Sequence, residues 1–162
     1  MSGLLAGQYD LVRKTRESLF AFLESVPEDA LHSEVPDFGF GTIARTHLHV
    51  AGCYMHWLVG FANIRTKPVY PTEEETASAD VAMLRRWFAI SDEVVDEFLH
   101  AYGSRAMELI YNKSEGPIGL TPIWLMTHTM THEFHHKGQI VTMARRLGYA
   151  PPDTDLVFPD NE

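Results

Sequence analysis

Apolar residues recur along this chain at helical spacing, in four long blocks. Leu5, Val12, Leu19 and Val26 return every seven residues, with Tyr9, Phe22 and Leu23 on the same side, and Pro27 closes the block. Residues 28–41, EDALHSEVPDFGFG, carry a proline and two glycines and read as a connection. A second block opens at Thr42, a good N-cap, and runs TIARTHLHVAGCYMHWLVGFANI. It is apolar around much of its circumference, as a helix deep in a bundle is. KPVYPTEEET then reads as a loop whose acidic end suits a helix N-terminus. In the third block Val81, Leu84, Phe88, Val95, Phe98 and Tyr102 follow one another by threes, fours and one seven, the seam of an amphipathic helix.

Residues 103–120 break the pattern. MELIYNK has short strand character and SEGPIG is turn material, so a small hairpin or ordered loop is predicted there. Thr121-Pro122 supplies an N-cap with proline at the first helical position, and the fourth helix runs to about Leu147, where Gly148 stops it. Four long helices make an all-α four-helix bundle the leading fold class.

A chain of 162 residues suits one domain, over 1–162, with a real core. The formal net charge of −9 argues against nucleic acid or an anionic membrane surface as a partner. The start, MSGLLAGQYDLVRK, lacks the basic segment and apolar core of a signal peptide, and no apolar run approaches the roughly 20 residues of a spanning helix. One cysteine, Cys53, allows no internal disulfide and reads as a small buried apolar residue. A reducing cytoplasm is the expected setting. Trp57, Trp87 and Trp124 are expected in the core.

The candidate chemistry lies in the histidines, nine in all. His128, His132 and His136 are each four apart, so their rings stack on one helix face, and two imidazoles spaced this way can converge on one ion. His135 points to one side. A further ligand must come from another element, and the second helix offers His47, His49 and His56. His49 and His56 share a face with Cys53, whereas His47 is rotated roughly 200° from His49. Val50, Ala51 and Trp57 give His49 apolar neighbours. The pocket beside such a site is expected from the 103–120 loop and the first helix.

HEFHH also satisfies the H-E-x-x-H pattern of zinc peptidases, with Glu133 as base. The extended form fails, because Gln139 and Thr142 occupy its glycine and last histidine positions. Only 26 residues follow His136, and the one glutamate among them is Glu162. Glu133 is left as a solvated helix charge, and no catalytic residue is assigned.

THLHVAGCYMHW followed by HEFHHKGQI resembles the DinB/YfiT-like superfamily, whose pattern is a histidine eight residues before a tryptophan, then H-x-x-x-H ending in H-H-R-G-Q. Here His49 stands eight before Trp57, His132 and His136 form the second part, and GYAPPDTD matches the trailing segment. Lys137 stands where arginine is usual, which questions any salt bridge at that position. The resemblance implies an up-down-down-up bundle, often a homodimer, holding one divalent ion, zinc or nickel, on His49, His132 and His136. It implies a metal-dependent enzyme: a transferase joining a low-molecular-weight thiol, of the bacillithiol type, to a small electrophile, or else a hydrolase. The remaining alternative is a metal- or ligand-binding protein without turnover.

Overall fold

The computed structural model describes residues 3–112 and 116–156. Lys113, Ser114 and Glu115 of the predicted hairpin, and Glu162, lie outside them. The four expected helices are α1 (Leu4–Glu24), α3 (Ile43–Tyr54), α5 (Val81–Tyr102) and α6 (Pro122–Arg146). Two short helices sit inside segments read as plain connections: α2 (Glu28–His32) and α4 (Glu73–Ala77). The second of these is held by a capping box in which Thr72 and Glu75 satisfy each other's backbone N–H.

Helix starts follow the local chemistry. The hydroxyls of Thr42 and Thr121 accept from the N–H groups of Arg45 and Trp124, and the Asp80 carboxylate accepts from that of Met83. Past the end of α6, Gly148 adopts φ +92, the left-handed conformation that glycine tolerates best. The hairpin before α6 is reduced to β1 (Ile110–Tyr111) paired antiparallel with β2 (Gly119–Leu120). The second helix departs from expectation, since α3 continues into a π-helical turn, Met55–Phe61, with Ala62 N–H reaching back to the Trp57 carbonyl.

Side-chain contacts fix the helix directions. Asp92 meets Tyr9 and Arg16 while Arg85 meets Glu17 and Glu24, so α1 and α5 are antiparallel. Thr46 meets Met143 and Trp57 meets Trp124, so α3 and α6 are antiparallel. His47 packs on Phe88 and Tyr102 bonds the Ala62 carbonyl, so α3 and α5 are parallel. The order is up-down-down-up.

Between the helices lie the fully buried Leu19, Leu84, Phe88, Phe98 and Leu125. His47 is among them, 2% exposed, with its ring 5.0 Å from that of Phe20 and 4.7 Å from that of Phe88. Its Nδ1 has no hydrogen-bond partner among the described residues. Burial, and then the Arg16 charge, push its pKa down to about 3, so the ring is neutral in the folded protein. The unfolded chain takes up this proton near pH 6.5 and the folded one does not. The stability that this neutral ring contributes is therefore fully present above pH 6.5 and is lost by roughly 1.4 kcal/mol per pH unit as pH falls from there to about 3. Urea denaturation should show wild type losing on the order of 3 kcal/mol more than His47→Leu between pH 7 and pH 4. Superimposable pH dependences would refute the assignment.

No described helix is long and apolar enough to cross a membrane.

Candidate metal centre

The antiparallel pairing of α3 and α6 sets His49 against His132 and His136. One ring nitrogen from each lies within 4.8 Å of the others, and the Nε2 atoms of His49 and His132 face each other at 3.0 Å. Around a tetrahedral ion, with Zn–N distances of about 2.0–2.1 Å, donor nitrogens stand roughly 3.3 Å apart, so small ring rotations suffice. The His136 Nδ1–H donates to Gln139 Oε1 at 2.7 Å, which leaves Nε2 as the free donor. Burial is the first cause of a lowered pKa at all three rings, and mutual repulsion adds to it at His49 and His132. His132 reaches about 4. Neutral imidazoles are the ligating form, so the set is chemically suited to a divalent transition ion.

Phe40 covers the set, its ring centroid 4.0 Å from that of His49 and 5.5 Å from that of His136. Gly39 makes this possible. Its φ is +54, which glycine adopts without strain, and a Cβ there would lie 2.7 Å from Met143 Cε, so a larger residue would displace the Met143 side chain. Neither Phe40 nor Gln139 was singled out from the sequence. Gln139, three residues beyond His136, had the helical spacing to reach the His136 ring, whereas Phe40 sits in a loop with no local signal.

The other histidines separate clearly. His47 is in the core on the opposite side of α3, as its rotation predicts. His56 is exposed at the pocket mouth, and His135 is exposed and 3.2 Å from Gln139 Nε2. His128 stacks between tryptophans, nearly parallel to Trp124 at 5.0 Å and edge-on to Trp57 at 4.8 Å.

A pocket of about 550 Å³ opens beside His49 and His132. Its walls come from Phe40, from Leu48, Cys53 and Trp57 on the α3 side, and from Arg45, Tyr70 and Glu73 at the rim. This corrects the expectation that residues 103–120 and α1 would build it. The loop before α4 folds over α3 and takes that place. Trp124 is likewise not core but 42% exposed, and Trp57 is half-buried, while Trp87 is buried as expected.

Glu133 requires the largest correction. It is 3% exposed rather than a solvated charge. The Arg16 Nε–H and Nη2–H groups donate to its two oxygens at 2.8 and 2.9 Å, and the Tyr54 hydroxyl donates at 2.7 Å. Arg16, 4% exposed, also donates to Asp92 at 2.6 Å and to the Tyr9 hydroxyl at 3.0 Å. With its oxygens held in this way, Glu133 is poorly placed to serve as a base. Lys137 is buried too, its ammonium on the Thr15 hydroxyl and 3.5 Å from the Phe134 ring centroid, with no salt bridge to a described carboxylate. Burial pushes its pKa down to about 8.

The chain matches the model of the DinB family over residues 1–161. It is also similar to Protein DinB of Bacillus subtilis (strain 168), with 25% identity over 144 residues covering 86% of this chain and 83% of that protein. The match spans all four long helices and both halves of the histidine cluster, and the chain belongs to the DinB family.

Proposed function

We propose that this protein is a metal-dependent S-transferase, joining a low-molecular-weight thiol of the bacillithiol type to a small electrophile at an ion, zinc or nickel, held by His49, His132 and His136. The observation that carries this reading is the convergence of three imidazoles beside a pocket whose lining, among the described residues, includes no carboxylate but that of Glu73. Of the carboxylates near it, Glu133 is held by Arg16 and Tyr54, and Glu73 is on the rim, its side chain 96% exposed and 3.9 Å from Arg45. A divalent ion in the three-histidine set would lower the pKa of a bound thiol or water toward neutrality. Hydrolysis is served by a positioned base, whereas a thiol needs only to lose its proton to solvent. Phe40, Trp57 and Tyr70 give an electrophile apolar walls, and Arg45 offers a cation to a carboxylate-bearing thiol.

The proposal treats residues 1–162 as one cytoplasmic domain. It includes a homodimer, and Ile118, Ile123 and Trp124 are among the exposed apolar residues of the chain.

Cobalt substitution in a Cys53→Ser background tests the chemistry. The matching thiol should add sulfur-to-cobalt charge transfer to the spectrum and should support conjugation of a small electrophile. If no thiol changes the spectrum while ester or amide hydrolysis persists, hydrolysis replaces transfer. If neither reaction occurs, the protein is a binding module.

A further inference from the structure

One helical turn from the three-histidine set, the same two helices present a second group of donors. Cys53 lies four residues after His49 on α3, and His128 four before His132 on α6. Antiparallel packing carries both steps in the same direction. The Cys53 sulfur and one nitrogen each from His128 and His132 lie within 4.8 Å of one another. Cys53 and His132 both line the pocket, so a solute can reach them. Trp124 stacks on the His128 ring and Trp57 meets it edge-on, and no described residue hydrogen-bonds its ring nitrogens.

We infer that Cys53, His128 and His132 form a second, overlapping site for a soft, thiophilic cation such as copper(I) or cadmium(II). Sulfur with two imidazoles is a softer set than three imidazoles, and soft donors select soft ions. Tetrahedral sulfur and nitrogen donors stand roughly 3.3–3.6 Å apart, a closure that rotation of the Cys53 and His128 side chains can supply. On binding, the sulfur–metal bond forms and the thiol proton leaves to solvent, with no change of oxidation state. Because His132 belongs to both groups, a cation here withdraws it from the three-histidine set. Occupancy of the two sites is therefore mutually exclusive, and a soft cation acts as an inhibitor that also fills the pocket.

The test uses metal-free full-length protein and cadmium(II) alone. Wild type and His49→Ala/His136→Ala should each bind one equivalent and show sulfur-to-cadmium charge transfer in the near ultraviolet. The double variant lacks two donors of the other set, so this arm reads the second site even if the three-histidine reading fails. Adding Cys53→Ser should remove the band, and adding His128→Ala should weaken cadmium binding at least tenfold. In wild type, cadmium should block uptake of cobalt at the three histidines. Circular dichroism and thermal melts establish that each variant is folded, and Cys53→Ala replaces Cys53→Ser if the latter is not. Cadmium binding without a sulfur band would overturn the proposal, as would a band of undiminished affinity in the His128→Ala variant, or simultaneous binding of cadmium and cobalt.

Discussion

Replacing any one of His49, His132 and His136 by alanine should abolish stoichiometric binding of cobalt(II) or nickel(II), measured by metal analysis after gel filtration. Two imidazoles and solvent do not replace three convergent ones, and among the described residues no other His, Cys, Asp or Glu completes the set once the measurement is made in Cys53→Ser protein. His56→Ala and His135→Ala should bind one equivalent as before, because both rings are exposed and outside the cluster. Gln139→Leu is the graded case. It removes the acceptor that fixes the His136 tautomer, and loss of such a partner costs about 10–100-fold in metal affinity. The assignment fails if His128→Ala releases the ion and His136→Ala retains it, which would put the site one helical turn nearer the start of α6.

How much of this was legible in the sequence follows from which forces act locally. The long helices were readable because their apolar spacing and their caps, Thr42 and Thr121, are properties of neighbouring residues. The cluster was readable in part, since i, i+4 histidines meet on any helix and His49 needed only an antiparallel partner. The π-helical turn at Met55–Phe61 left no trace, because a segment apolar on every side hides a one-residue change of register. The pocket was misassigned for another reason. Phe40, Tyr70 and Glu73 come from connections whose course is set by tertiary packing, here the close approach permitted at Gly39. Arg16 is the residue whose signal was present and overlooked. It lies seven after Tyr9 and seven before Leu23, a charge on the apolar stripe of α1, and a charge there needs an opposite charge from a facing helix.

That opposite charge is Glu133, and its removal should be the most damaging single change to stability. Glu133→Ala leaves the Arg16 guanidinium buried with Asp92 as its remaining counter-charge, and breaking a buried pair in this way costs about 3–5 kcal/mol. At roughly 2–4 °C per kcal/mol for a chain of this size, the melting temperature should fall by about 6–20 °C. A solvated glutamate would instead change stability by less than about 0.5 kcal/mol. The double variant Arg16→Met/Glu133→Leu should recover most of the loss, because well-packed apolar side chains can replace a buried ion pair at little net cost. Catalysis gives an independent reading. Glu133→Gln keeps the shape and an acceptor for Tyr54, so at a temperature where it is folded it should bind one metal ion and retain turnover within a few fold. A general base of the H-E-x-x-H kind would lose about 10²–10⁴-fold on the same change. Full stability of Glu133→Ala together with such a loss in Glu133→Gln would return Glu133 to the chemistry and remove it from the frame of the bundle.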